Sequence, residues 1–268
     1  MINHHILEIE NNGFTILKGE IDAFSIKKLK EKILNIKDTY PAPAIETTPR
    51  LNRESDVIYN PEQKDRFFSK LIFQNKNLRD ILIHFLNDKY YKQIPQDKPN
   101  YILRAMIARS SASSDLPLHI DSFIPNAGKR LFVMQASVII DKHDSETGST
   151  VVVPKSHLLD EYADQDRFKS AITIDSEPGD IVLWDSRLWH GALANKSLKT
   201  RWALIVTFTR WWIKQNYDLI NNLPLEIYND LSLEEKSIMG YCSHPPKNEY
   251  DRIDIKAGYE ILKLKNKL

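Results

Sequence analysis

The chain has 268 residues, and its 37 Lys and Arg against 36 Asp and Glu give a formal net charge of +1, with no basic footprint for nucleic acid and no pull toward an acidic partner. An apolar content of 42% with only 8 Gly and 13 Pro excludes fibrous and disordered classes. The length suits one large unit, since barrels and sandwiches often run to about 250 residues.

Residues 1–13 carry Glu8 and Glu10 and lack the basic start and apolar run of a signal peptide. No window of the sequence approaches a membrane span, so a cytoplasmic protein with no membrane association is expected. Residues 14–17, Phe-Thr-Ile-Leu, form a short β-prone run. Ile21, Phe24, Leu29 and Ile33 follow at the spacing of an amphipathic helix. A second helix is predicted over about 77–91, with Leu78, Ile81, Leu82 and Leu86 along one face. The texture then changes to apolar, β-branched and aromatic runs at 101–109, 131–141, 150–153, 171–174, 180–184 and 201–213. Turn signals at Asn126-Ala127-Gly128 and Glu177-Pro178-Gly179-Asp180 separate several of them. So many short strands in succession predict a sandwich or jelly roll. Beyond Trp212 the chain turns polar and helical, with Ser232-Leu233-Glu234-Glu235 reading as an N-cap and first turn and Pro245-Pro246 as a stop. The single cysteine, Cys242, excludes an internal disulfide or a cysteine-held cluster and fits a reducing compartment. The whole chain, 1–268, reads as one domain: a helical flank over about 1–100, a β core over about 101–213 and a helical extension over about 214–268.

Of eight histidines, most read as structural or solvent-facing. His143 is placed in an exposed hairpin, and His157 is expected to fix the turn after its strand. His119 and Asp121 differ, because a spacing of two at a strand end sends both side chains to one face. An H-x-D pair alone occurs often by chance. His190, a short turn after the strand at 180–184, would complete the two-histidine, one-carboxylate set that holds Fe(II) with positions left open. Eleven residues further, Arg201 opens an apolar strand, where its planar fork can grip a carboxylate of a dicarboxylate co-substrate.

Further motifs extend the pattern. Residues 12–17 look like an opening strand, Gly148 to His157 (GSTVVVPKSH) resembles a G-x-x-x-V-V-P-G-S-H segment, and Pro178-Gly179-Asp180 through Trp184, followed by His190-Gly191, resembles a P-G-D…H-G stretch. In this ordered succession the chain resembles the phytanoyl-CoA dioxygenase-like family of iron(II)- and 2-oxoglutarate-dependent oxygenases over roughly 12–212. The resemblance implies a double-stranded β-helix, a jelly roll of cupin type that is mainly β with flanking helices. It implies Fe(II) on His119, Asp121 and His190, with Arg201 on the distal carboxylate of 2-oxoglutarate, and O2 as oxidant. The small-molecule substrate would be hydroxylated with release of succinate and CO2. Asp121 matters here, because related halogenases carry a small residue in its place, so its presence favours hydroxylation, desaturation or ring formation. Asn195 falls where the family keeps an Asn.

Gln135 and Ser137 share a strand face that the family register turns inward. Gln135 is then a candidate to bind co-substrate, and Ser137, where many relatives carry Trp, a candidate wall of a widened substrate pocket. Arg104 and Arg109 have opposite parity on the strand at 101–109, and Arg104 is favoured as a further co-substrate ligand. Two departures stand out: Ala192 replaces a hydroxyl residue two after His190, and Lys155 replaces the Gly of the P-G-S-H turn. A non-catalytic cupin-like metal- or ligand-binding protein is the alternative. A zinc hydrolase would leave Arg201 unexplained. The oligomeric state and the primary substrate are not legible.

Overall fold

The chain begins with α1 (Ile2–Asn12), which sequence reading did not assign. Gly13, at φ +90, turns it into β1 (Phe14–Leu17). In α2 (Ala23–Thr39) the buried residues are Ile26, Leu29, Ile33 and Ile36, spaced three to four apart, whereas Phe24 of the expected stripe points out to solvent. This computed structural model describes residues 2–39, 56–92, 94–126, 128–197 and 199–245. After β2 (Val57–Tyr59) come α3 (Arg66–Phe73), capped by Asp65, and α4 (Lys76–Leu86), capped by Asn75. α4 buries the predicted Leu78, Ile81, Leu82 and Leu86 but stops at Leu86. Asn87 leaves helical geometry there, and its side chain brackets the Lys98 carbonyl and the Asn100 amide.

Eight strands follow: β3 (Tyr101–Ser110), β4 (Leu116–His119), β5 (Val133–Ile139), β6 (Thr150–Val152), β7 (Ile172–Ile174), β8 (Ile181–Asp185), β9 (His190–Ala192) and β10 (Trp202–Arg210). All six segments predicted over 101–213 become strands, most of them trimmed, although β3 and β8 each run one residue past the predicted end; β2, β4 and β9 are additions. The strands form a six-stranded sheet, ordered β1-β8-β5-β10-β3-β2, and a four-stranded sheet, ordered β4-β9-β6-β7. The registered pairs within each are antiparallel. This is a mainly β jelly roll with flanking helices. The Pro-Gly-Asp turn closes as predicted, because Gly179, at φ +97, lies where a Cβ would sit 2.3 Å from the Ile21 carbonyl oxygen. Asp180 accepts from the amides of Gly19 and Glu177 and pairs with Lys18.

The chain divides into two compact units. The first, Met1–Pro61 with Met106–Val206, contains the four-stranded sheet and its facing wall. Its core joins Ile139, Val182 and Trp184 of the larger sheet to Val152 and Ile174 of the smaller one, with Leu188, Phe14 and Ile16 beside them. Each such side chain contributes roughly 1.5–3 kcal/mol on burial. On the other side of the smaller sheet, Leu118, Val151, Val153 and Trp189 pack together.

The second unit, Glu62–Ala105 with Thr207–Leu268, includes α3, α4 and the short helices α5 (Leu219–Asn222), α6 (Leu225–Asp230) and α7 (Leu233–Ile238). Ser232 and Glu235 form a reciprocal capping box at the start of α7, at the predicted N-cap. Glu235 and Glu234 pair with Arg66 and Arg79, each at 2.7 Å. Tyr91 stacks on Trp211 with centroids 4.2 Å apart, beside a buried Cys242 whose thiol is pushed up to about 11 by burial. The predicted stop at Pro246, the rest of the extension and Ala127 of the predicted turn lie outside the described residues. No helix among the described residues is long and apolar enough to cross a membrane.

Candidate metal centre

Two neighbouring strands of the smaller sheet bring the imidazoles together. His119, the last residue of β4, sits directly across from His190, the first of β9, and their ring centroids are 4.2 Å apart. The closeness depends on Gly191, where a Cβ would lie 2.4 Å from the Leu116 carbonyl oxygen. On its other edge β9 is fixed by β6, with Val152 opposite His190. Asp121 follows β4 by two residues and is held from behind, its amide donating to the Ser186 carbonyl at 2.8 Å.

Each imidazole donates Nδ1–H to a main-chain carbonyl two residues earlier, His119 to Pro117 and His190 to Leu188, both at 2.9 Å. This leaves both Nε2 atoms facing the Asp121 carboxylate, at 3.6 Å from His119 and 3.1 Å from His190. The three donor atoms lie within 4.8 Å of one another. Two imidazole nitrogens with fixed tautomers and one carboxylate on one side of a site are a donor set that suits a divalent transition metal with open positions. The fit is therefore chemical as well as geometric.

Electrostatics agree. Burial pushes the His119 imidazole down, and His190 beside it adds to the effect, leaving it at about 4 and hence neutral. Burial alone would raise the Asp121 carboxyl, but His190, His119 and the Gln135 amide outweigh it and hold it at about 2. His190, also opposed by burial, is raised by Asp121. A bound cation would take the place of the proton between them.

The larger sheet supplies the facing wall. Gln135 and Ser137 lie opposite Trp184 and Val182 in register, so they share one face, as the alternation predicts. Gln135 Nε2 donates to Asp121 Oδ2 at 2.9 Å, so it orients the carboxylate. The Trp184 ring lies 5.2 Å from that of His190, and its buried Nε1 has no hydrogen-bond partner among the described residues. Arg201 is buried at the start of β10, with its Nε donating to the Thr147 carbonyl at 3.1 Å and Nη1 to the His143 ring. Asn195 clamps the preceding loop through Ser111 Oγ and the Lys199 carbonyl, and the Ser111 amide donates to the Arg201 carbonyl at 2.8 Å.

Several placements were not legible from sequence. His143 is 2% exposed, not in an exposed hairpin, and burial and then Arg201 hold it well below the usual histidine range. Of the two arginines on β3, Arg109 shares the first unit with the triad, and its charge is felt at His119 and Arg201 and in turn feels Asp121. Arg104 is buried in the second unit. Lys155, where the P-G-S-H motif has Gly, takes the left-handed conformation that favours glycine, at φ 70. His157 is buried against Gly13, whose Cβ would meet its Nδ1 at 2.7 Å, and it faces the Glu10 carbonyl rather than the triad. Ala192 lies opposite Thr150, which carries a hydroxyl on the same face.

A pocket of about 620 Å³ is lined by Arg201, Thr147, Lys30, Lys37, Asp141 and neighbours, and by none of the triad. Its charges are largely paired, Lys30 with Asp141 and Lys37 with Asp56.

Comparison with known proteins places these features. The epimerase SnoN, crystallised with Fe3+, alpha ketoglutarate and nogalamycin RO, is similar in fold at TM-score 0.60 and 16% identity, over 78% of this chain and 83% of that one. HygX from Streptomyces hygroscopicus, with nickel and 2-oxoglutarate bound, gives TM-score 0.60 at 15% identity, over 79% and 88%. An uncharacterized protein of Mycobacterium tuberculosis is 32% identical over 110 residues, which are 41% of this chain and 40% of that protein's length. Residues 9–203 match the phytanoyl-CoA dioxygenase (PhyH) profile across both sheets of the jelly roll, and the chain belongs to that family.

Proposed function

We propose that the chain is an Fe(II)- and 2-oxoglutarate-dependent dioxygenase that hydroxylates an unactivated C–H bond of a small-molecule metabolite, releasing succinate and CO2. The observation that carries this reading is the convergence of His119, Asp121 and His190 within 4.8 Å, with Arg201 buried at the start of β10 and no carboxylate in ion-pair range among the described residues. When bound, iron and 2-oxoglutarate supply, with O2, the oxidising power for the reaction. The chain's own residues bind and orient. His119, Asp121 and His190 would hold the metal, the Pro117 and Leu188 carbonyls fix the imidazole rings, and the Gln135 amide aims the carboxylate. Arg201 would take the distal carboxylate of the co-substrate as a bidentate fork, with neutral His143 and the Thr147 carbonyl setting its direction. Trp184, Val152 and Leu188 keep the floor of the site dry. Ser137, on the same sheet face as Trp184, would leave room for substrate beside it.

Asp121 fills the carboxylate position of the metal set, which favours hydroxylation over halogen transfer. Fold neighbours include an epimerase and the carbocyclase SnoK, the latter at TM-score 0.62 and 12% identity, so product analysis decides the outcome at the C–H bond. Anaerobic addition of Fe(II) and 2-oxoglutarate should produce the weak visible charge-transfer band of the chelate. A protein that binds both without that band would be the metal- or ligand-binding alternative instead. Succinate formation that depends on an added metabolite then identifies the substrate.

A further inference from the structure

Arg109 is not used by the reading above. It lies near the end of β3, opposite Val57 of β2. Two residues on, the Ser111 amide donates to the Arg201 carbonyl, so strand alternation puts Arg109 on the same face of the larger sheet as Ser111 and Arg201. It is half-buried, and among the described residues its guanidinium forms no ion pair, although its charge feels Tyr59 and then Asp121. Its surroundings register its charge: burial opposes it, Tyr59 and then Asp121 favour it, and Arg201 is held at about 10 by burial and by Arg109. Asp121 is already committed to His190, His119 and Gln135. A half-buried cation with no ion-pair partner is partly desolvated at a cost, and an arriving anion recovers it.

The charges inside the jelly roll can be balanced. A divalent metal and two guanidinium groups stand against one carboxylate, and a dianionic co-substrate cancels all but one of the remaining positive charges. That last charge needs a partner. Resting on the oxygenase reading, we propose that Arg109 anchors an anionic group, a carboxylate or a phosphate, on the primary substrate, so that the substrates of this enzyme are small organic anions. Arg201 then holds the co-substrate, and Arg109 sets which molecules are presented to the metal.

The test uses the Fe(II)-loaded protein with 2-oxoglutarate under argon. The chelate band is recorded first, and acetate, hexanoate, inorganic phosphate and neutral hexanamide are then titrated against it. Charge-assisted pairing predicts that hexanoate or phosphate binds the wild type at least about tenfold more tightly than hexanamide. Which of the two anions wins separates a carboxylate site from a phosphate site. Arg109→Gln should abolish the preference and Arg109→Lys retain part of it, both with a 2-oxoglutarate constant within about threefold of wild type, while Arg201→Met should show the reverse pattern. A large loss of 2-oxoglutarate affinity in Arg109→Gln with the anion preference intact would make Arg109 a co-substrate ligand and overturn the assignment. So would equal binding of charged and neutral probes by the wild type. If Arg109→Gln does not fold, the wild-type preference and its retention in Arg109→Lys decide. Absence of the band in the wild type is a separate result, which removes the oxygenase reading and this inference with it.

Discussion

The two sheets divide the labour unequally. The four-stranded sheet is built from strands of three or four residues and has a register irregularity between Leu116 and His119, yet it carries both imidazoles. The six-stranded sheet is longer and more regular, with β5 and β8 buried at every residue, and it carries Gln135, Ser137, Arg109 and Arg201. Donor atoms on the short strands are placed by close backbone approach at Gly191, so their geometry has little slack. Groups on the long strands reach inward on flexible side chains. The smaller sheet should therefore decide whether a metal binds, and the larger sheet what binds beside it.

The strongest test of that division is Asp121→Ala. Asp121 is the only anionic donor of the set, so Fe(II) binding and turnover should fall below detection. The fold should survive, because Asp121 lies outside the strands and its backbone amide still reaches Ser186. Calorimetric Fe(II) titration beside a melting curve measures both, and full activity in the variant would refute the metal assignment. His119→Ala and His190→Ala should behave alike.

Next in size are changes in the larger sheet. Arg201→Met should leave Fe(II) affinity nearly unchanged and weaken 2-oxoglutarate by roughly one to two orders of magnitude, the value of a charge-assisted fork at about 1.5–3 kcal/mol. An unchanged 2-oxoglutarate constant would assign the carboxylate to another base, with Arg109 and Arg104 the first to examine. His143 adds a pH dependence. Its folded-state pKa lies well below the usual value because of burial and then Arg201, so the unfolded chain binds more protons and stability should fall as pH drops through the ordinary histidine range. His143→Gln should flatten that acid limb of the stability curve. An identical limb in both proteins would place the titration elsewhere.

Smaller again is Gly191→Ala. The added methyl meets the Leu116 carbonyl oxygen at 2.4 Å and must part β4 from β9, at a cost of about 1–3 kcal/mol for overpacking. The expected signature is joint: a lower Tm and weaker Fe(II) binding, since separating the strands separates His119 from His190. A variant that melts early but binds iron normally would show that the imidazoles are held by their carbonyl partners and not by strand spacing.

The larger sheet was the more legible of the two. Its strands at 101–109, 131–141 and 201–213 are long runs of β-branched and aromatic residues, and such runs announce themselves by composition. β4, Leu-Pro-Leu-His, and β9, His-Gly-Ala, have no such signal and exist because neighbouring strands hold them. The convergence of His119, Asp121 and His190 was legible despite this, because the H-x-D spacing and the later His190-Gly191 follow a pattern of chemistry and not of propensity. Alternation correctly grouped Gln135 with Ser137, but parity alone does not say which face turns inward, so Arg109 emerged only from the contact between Ser111 and Arg201. His143 was hidden for a related reason: Asp-Lys-His-Asp reads as a polar turn, and its burial comes from an arginine 58 residues away in sequence.

The finest distinction between the sheets is Ser137→Trp. Ser137 is 6% exposed, on the same face as Gln135 and opposite Val182, so an indole there would project beside the metal set from the larger sheet. If that space is substrate room, the variant should keep Fe(II), 2-oxoglutarate and the chelate band, with Tm close to wild type, while coupled product formation drops and uncoupled loss of 2-oxoglutarate continues. If Ser137 is packed core, the indole overfills it and should destabilise by about 1–3 kcal/mol. Melting curves separate the two cases before any substrate is known. A clear loss of stability, or normal coupled turnover once a substrate is found, would remove Ser137 from the pocket wall and leave substrate selection to Arg109.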